Sequence, residues 1–360
     1  MAAKSDGQLL PTNRKYLGCK RHLAVGICDR ICASGVPEAF LDGFCGTGAV
    51  AIEMARRGPG PITCVDNLLS NTAILTAYFS RVVSETSDAI TRWLQHLART
   101  RPRQGYVSRA FGGRYFTHDN AQRIDGVRLA LDNPRWRLEG AEAEFHDEVR
   151  SALLAALLLA ADRVANCIGQ YDAYLKHLGS SSHRNGRHLV DSRVYSRLRL
   201  VPLAADPSDV TVFTADITDV LSGVHGVVER SEVAYFDPPY NTRQYSDNYH
   251  VLEAIARWDG AEVHGKTRKA QRPALRSAFS RRSQVVAALS ALIYASRAKR
   301  IYLSYSSEGL LGPDELWALL RERGPVERWD FDYPVFGHGA GVARKRRVTE
   351  HLYELRPREA

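Results

Sequence analysis

The sequence alternates strand and helix signals up to residue 80, abandons that rhythm, and resumes it after residue 205. Such alternation specifies a mostly parallel sheet built from βαβ units, here assembled from two separated stretches of chain. In the first stretch, Lys20–Ile31 has Leu23, Ile27 and Ile31 at four-residue spacing and predicts a helix. Ala39–Asp42 reads as a strand running into a glycine turn, Ala49–Arg57 as a helix, Ile62–Asp66 as a second strand, and Asn71–Phe79 as a further helix. Strand, glycine turn, helix, strand, acid is the order of a nucleotide-binding half. In the second stretch, Val210–Phe213, Glu232–Phe236, Arg300–Tyr305 and Val348–Leu355 read as strands. Tyr249–Trp258, Val285–Ala298 and Pro313–Arg323 read as helices.

Between these stretches β-branched runs vanish and helical periodicity takes over, with Ser151–Leu178 expected as one long helix or two stacked ones, interrupted near Gly169. The expected organisation is one α/β domain, residues 1–80 and 205–360, split by a mostly helical insertion, residues 81–204. No stretch reaches the roughly 20 apolar residues that span a bilayer. The first ten residues, MAAKSDGQLL, lack the apolar core of a signal peptide. The six cysteines include no CxxC pair and fit reduced thiols in a cytoplasmic protein. Cys28 and Cys32, one helical turn apart, fit small buried hydrophobes, and His183 and His188 flank a solvated RNGR loop, so no metal is expected. The 49 Lys and Arg residues exceed the 40 Asp and Glu by nine. A polyanion partner and an arginine-favouring codon bias explain that surplus equally well.

Two motifs carry chemistry. Asp237-Pro238-Pro239-Tyr240 follows directly on the apolar run Val233–Phe236. Two successive prolines fix φ and remove two N–H donors, leaving a rigid bend that offers acceptors only. The Asp237 carboxylate and the Pro238 carbonyl can take the two hydrogens of an exocyclic amino group, and the Tyr240 ring can stack on a planar base. Accepting both hydrogens makes the nitrogen a better nucleophile. The second motif is Asp42-Gly43-Phe44-Cys45-Gly46-Thr47-Gly48. It lacks the third glycine of a dinucleotide fingerprint, so a nucleoside suits it better than a pyrophosphate, and a nicotinamide dehydrogenase is disfavoured. Asp66 stands at the next strand end, where it can bind a ribose or cap a helix.

These residues resemble S-adenosylmethionine-dependent amino-methyltransferases. Asp42-x-Phe44-x-Gly46-x-Gly48 is similar to their motif I and Asp237–Tyr240 to their motif IV, while Lys15-Tyr16-Leu17-Gly18-Cys19-Lys20 resembles the N-terminal motif of Dam-like adenine methyltransferases. The order of the motifs matches the α class, and the run Asn241–His250 resembles restriction–modification methyltransferases of the FokI type. The resemblance implies a Rossmann-like class I methyltransferase sheet with helices on both faces and an insertion that recognises the target. It implies S-adenosyl-L-methionine as cofactor, with Tyr16 and Lys20 helping to hold it, Lys20 through its carboxylate. Phe44, Gly46 and Gly48 of the Asp42 loop would line the methionine and ribose, Asp66 would bind the ribose, and Asp216 would contact the adenine amino group. Cys19 departs from the family, which often has a small residue such as glycine there.

Double-stranded DNA is the expected partner, with a cognate restriction endonuclease as a further one. An adenine N6 inside a duplex cannot meet the cofactor methyl in line, so the base must flip out. Arg243 and Tyr245, just past Asp237–Tyr240, are candidates for flanking phosphates, as are Lys266 and Arg268 in the basic stretch 260–283 and Arg346 near the C-terminus. Two alternatives stand beside this: an amino-methyltransferase acting on RNA or protein, and a nucleic-acid-binding protein on the same fold without activity.

Overall fold

The computed structural model describes residues 9–16, 18–81, 86–133, 138, 140–167, 169–176, 178, 183–184, 187–188, 191–224, 231–336 and 345–358. The chain forms two compact units. Lys20–Asn67, Asp209–Tyr245 and Leu275–Ala360 make up one, and Met1–Cys19, Leu68–Ser208 and Ser246–Ala274 the other.

The first unit holds a seven-stranded mixed sheet. Its strands are β1 (Phe40–Asp42), β2 (Ile62–Asp66), β5 (Val210–Thr214), β6 (Val233–Phe236), β9 (Arg300–Ser306), β10 (Val326–Phe336) and β11 (Lys345–Leu355). The spatial order is β10-β11-β9-β6-β1-β2-β5. Pairings are parallel from β9 through β5, and β11 joins β9 and β10 antiparallel. β1 and β6 are buried along their whole length, as parallel strands covered on both faces must be.

Alternation sorts the side chains between the two faces. Leu41, Ala234, Phe236, Ile301, Leu303 and Tyr353 pack with helices Ile217–Leu221, Val285–Ala295 and Pro313–Arg323. On the other face, Tyr302 Oη donates to the carbonyl of Arg30 at 3.4 Å, in helix Ala24–Ile31. Helices therefore cover both faces, and the α/β fold expected from the sequence is present. The chain leaves β1 toward β2 and β5 on one side and returns to β6 and β9 on the other. The strand order thus reverses between β1 and β6, and Asp42 and Asp237 stand at the C-terminal ends of those strands, the position where open α/β sheets bind ligands.

The second unit is mainly helical. Helix His146–Val164 is buried at every position from Ala152 to Asp162, the signature of a central helix. It stops at Ala165, and Gly169 follows with φ +79°, so the expected continuation to Leu178 does not form. Two short hairpins, β3 (His183–Arg184) with β4 (Arg187–His188) and β7 (Val263–His264) with β8 (Lys269–Ala270), also belong here. The second of these lies in the basic stretch 260–283.

Two helices in this unit begin at residues whose side chains cannot cap them, and both are capped from a distance. Glu253 accepts from the N–H of Leu69 at 3.1 Å and of Ser70 at 2.9 Å, and also from Arg257 Nε at 2.6 Å. Asp125 accepts from the N–H of Val107 at 2.7 Å and of Ser108 at 2.8 Å. Both carboxylates are buried, and each meets the positive end of a helix. Helix Leu69–Phe79 is fastened to residue 253, so it groups with the helices.

β10 was not expected from the sequence. Trp329, Phe331 and Tyr333 alternate with Asp330 and Asp332, a strand pattern carrying Pro334. β10 is an edge strand, where a proline is tolerated. Replacing Glu253 by alanine leaves two helix N–H groups and Arg257 without their acceptor, and should lower stability by about 3 kcal/mol in urea unfolding.

Candidate active site

The glycine turn after β1 is built by backbone geometry. Gly46 and Gly48 have φ of +52° and +75°, a region that favours glycine, and both are buried. Gly46 donates its N–H to Asp66 Oδ2 at 2.9 Å. Asp66 thus braces the loop from the end of β2, where the sequence suggested a ribose ligand or a helix cap. Phe44 stands edge-on to Phe279 and Phe236, with ring centroids 5.2 and 6.3 Å away.

Asp42 is 2% exposed, and its Oδ1 has no hydrogen-bond partner among the described residues. Burial, with the nearby carboxylate of Asp237 adding to it, pushes its pKa up to about 8, against the pull of backbone N–H groups at Phe44 and Ala51.

The second motif lies one strand over. Asp237 follows β6, and its Oδ1 accepts from Lys20 Nζ at 2.8 Å. Lys20 Nζ is also 3.1 Å from Glu350 Oε1, on β11. Asp237, Lys20 and Glu350 are 16%, 6% and 0% exposed, so a charged trio is taken almost wholly out of water. Apart from that ion pair, neither Glu350 oxygen has a hydrogen-bond partner among the described residues. Burial works against the Lys20 ammonium, but Asp237 and Glu350 more than offset it, so Lys20 is held charged. Burial raises both acids and Lys20 opposes it only in part, so each stays above its ordinary range. Lys20 Nζ also lies 5.6 Å from the Tyr240 ring centroid, and that ring meets Tyr305 at 6.1 Å. Pro238 is buried and Pro239 half-buried.

The lysine therefore has other partners than the cofactor carboxylate implied for it by resemblance. Asp216 Oδ1 accepts from the Thr218 N–H at 2.9 Å and caps helix Ile217–Leu221. Tyr16 lies in the helical unit, stacked on Tyr249 with centroids 4.3 Å apart and accepting from Asn71 Nδ2 at 3.3 Å. Glu350 was missed. Its signal was parity: Val348, Glu350, Leu352 and Glu354 share the alternating buried face of β11.

Four carboxylates, Asp42, Asp66, Asp237 and Glu350, share this end of the sheet with Lys20 as the cation within hydrogen-bond reach of two of them. Surplus negative charge beside a glycine cradle, with one buried carboxylate oxygen unpartnered, fits a nucleoside carrying positive charge. S-adenosyl-L-methionine, with a sulfonium and an ammonium, has that character.

Among the expected DNA contacts, Arg243 and Lys266 are exposed, and Tyr245 and Arg268 are half-buried. The loop after Tyr240 is clamped by Gln244, which donates to the Ser277 carbonyl at 3.1 Å and accepts from its N–H at 2.7 Å. Lys266 and Arg268 flank Thr267 at the turn between β7 and β8. The Thr267 carbonyl accepts from Tyr115 Oη at 3.0 Å and lies 2.7 Å from His250 Nε2. Other cations of this stretch are already paired, Arg272 with Asp259, Lys269 with Asp172 and Arg282 with Glu315. Arg346 lies on β11 opposite Val335, and its side chain is outside the described residues.

The raised Asp42 has a consequence for stability. Folded protein keeps a proton that the unfolded chain releases above pH 3.8, so this group's contribution is lost as pH rises toward about 8. Between pH 5 and 9, Asp42→Asn should gain on the wild type by at least about 1 kcal/mol in denaturant unfolding. An unchanged difference across that range would contradict the assignment.

Comparison with known proteins agrees with this geometry. Residues 16–318 match the family model described as D12 class N6 adenine-specific DNA methyltransferase. The type II methyltransferase M.FokI of Planomicrobium okeanokoites is 35% identical over 219 residues, covering 60% of this chain and 30% of that protein. M.NlaIII of Neisseria lactamica is 29% identical over 320 residues, 83% of this chain and 84% of that one. The modification methylase LlaI of Lactococcus lactis subsp. lactis is 30% identical over 336 residues, 85% of this chain and 48% of that one. The family model thus spans both motifs, the helical unit between them and the loop after Tyr240. The chain belongs to the D12 class of N6 adenine-specific DNA methyltransferases.

Proposed function

We propose that this protein is a site-specific DNA methyltransferase that carries a methyl group from S-adenosyl-L-methionine to N6 of an adenine flipped out of duplex DNA. The observation that carries this is the acceptor-only bend at Asp237–Pro238, held beside the Asp42–Gly48 cradle at the point where the sheet reverses direction. The relatives are named as type II methyltransferases and modification methylases, which supports a place in a restriction–modification system with a cognate endonuclease as partner.

The cofactor supplies an electrophilic methyl on a sulfonium. Phe44, Gly46 and Gly48 would hold its methionine and ribose, with Tyr16 contributed by the N-terminal motif. Asp66 would supply negative charge near the sulfonium, and Asp42, held toward its neutral form, would ionise as that positive charge arrives. Asp216, engaged as a helix cap through one oxygen, keeps the other for the cofactor adenine. Asp237 gives Oδ1 to Lys20, which leaves Oδ2 for one hydrogen of the target amino group, and the Pro238 carbonyl takes the second. Both bonds shift electron density onto the nitrogen, and Tyr240 supplies a ring for the flipped base. Flipping costs a few kcal/mol, offset by that stacking and by phosphate contacts. Arg243, Tyr245, Lys266, Arg268 and Arg346 are the proposed phosphate contacts, and residues 81–204 the proposed target-recognition region.

The deciding experiment incubates the protein with methyl-labelled cofactor and duplex DNA, RNA or protein, followed by nucleoside analysis. N6-methyladenine in DNA is expected, and label in RNA or protein alone would refute the proposal. Asp237→Ala should lower the transfer rate at least about 100-fold, with cofactor affinity changed less than about threefold. Lys266→Ala and Arg268→Ala should each reduce the slope of log affinity against log salt by about one, the signature of a lost phosphate contact.

A further inference from the structure

The trio at the end of β6 contains one more acid than a simple ion pair requires. Strand register explains how it gets there. Phe236 pairs with Leu303 and Tyr235 with Tyr302, while Glu350 pairs with Ser306, the last residue of β9. Asp237 continues the face of Tyr235, whose hydroxyl donates to Ser304 Oγ at 2.9 Å, and Glu350 shares the face of Ser304 and Ser306. Parity thus delivers Glu350 from an antiparallel strand to the same side of the sheet as the target-binding acid, with Lys20 held by both.

We propose that Glu350 is a positioning residue for methyl transfer: it shares the Lys20 ammonium with Asp237, so that Asp237 is oriented by an ion pair without being neutralised by it. This rests on the amino-methyltransferase function given above. An ammonium bound by Asp237 alone would cancel its charge and weaken it as an acceptor for the target N–H. Glu350, 3.1 Å from the same nitrogen, competes for that ammonium. With both acids ionised the trio carries one net negative charge. Asp237, the most exposed of the three, is the member that presents it to a ligand. The other titratable groups bearing on the trio are Asp42, Tyr235 and Tyr240. Burial and the charge of Asp237 keep Tyr235 protonated, and its hydroxyl is bound to Ser304.

The test is single-turnover methyl transfer to duplex DNA across a pH series, with cofactor affinity measured by calorimetry on the same proteins. Glu350→Gln removes the competing charge and lets the ammonium pass wholly to Asp237. The acidic limb of the rate profile should move about one unit lower, and the plateau rate should fall about tenfold. Cofactor affinity should change less than about twofold. Glu350→Asp, which keeps the charge, should retain the wild-type limb and recover most of the rate. A limb that stays put or moves up in Glu350→Gln overturns the proposal. So does a rate lost only in proportion to cofactor affinity, which is what a purely structural role would give. If Glu350→Gln fails to fold, Glu350→Asp decides: a limb displaced from wild type overturns the proposal, and a retained limb with recovered rate supports it. Wild-type protein that binds cofactor but methylates no adenine refutes the functional proposal and the Glu350 role together. Wild-type activity with an unshifted Glu350→Gln profile refutes the Glu350 role alone.

Discussion

A buried ammonium between two buried carboxylates sets the terms for everything at the C-terminal edge of the sheet. Lys20 comes from a 3₁₀ turn ahead of the first helix, Asp237 from the end of a parallel strand, and Glu350 from an antiparallel one. Each would be costly to bury alone, because desolvation of an isolated charge amounts to several kcal/mol. Together they are tolerated only while strand register holds them within about one hydrogen-bond length of one another. The rigid Pro238–Pro239 bend, the packed faces of β6 and β9 and the antiparallel addition of β11 all serve that register. The fold therefore stores charge at the C-terminal ends of β6 and β1.

The neighbouring cradle meets the same problem differently. Asp42 has no cation of its own and is held toward its neutral form, whereas Asp66 spends an oxygen on the Gly46 N–H. Two acids at the ends of adjacent parallel strands thus have opposite duties, one bracing a loop and one kept in reserve. A ligand bringing positive charge would relieve the second without disturbing the first. Such division of labour among nearby carboxylates follows from what surrounds each one.

Much of this was legible in the sequence because local chemistry dictated it. The paired prolines after Val233–Phe236 announce an acceptor-only bend wherever they stand, and Gly46 and Gly48 announce a turn that a side chain would obstruct. Strands β1, β2, β5, β6 and β9 were visible as short apolar runs with turn signals. What escaped notice depended on partners far along the chain. Glu350 reads as one more polar residue in a strand until β11 is laid against β9. Lys20 gives no sign in the sequence that it will meet both Asp237 and Glu350. In β10, Pro334 and the aspartates resemble loop residues, and only its place at the sheet edge makes them compatible with a strand. The extent of helix Leu69–Phe79's allegiance could not be seen either, since its cap is Glu253.

The remote caps and ties of the helical unit bear on how much of it can be exchanged between relatives. Tyr115 Oη reaches the Thr267 carbonyl, Tyr106 Oη donates to the Ala261 carbonyl at 2.8 Å, and Lys269 pairs with Asp172. A transplant confined to residues 81–204 would carry away these three anchors of the β7–β8 hairpin and leave His250 as the partner of its Thr267 carbonyl. Recombination between relatives must therefore move three stretches of chain in concert, or keep the anchoring tyrosines and Asp172 while altering the rest. During synthesis, likewise, helix Leu69–Phe79 leaves the ribosome long before Glu253 exists to cap it. The helical unit cannot close until residues beyond the Pro238–Pro239 bend have been made.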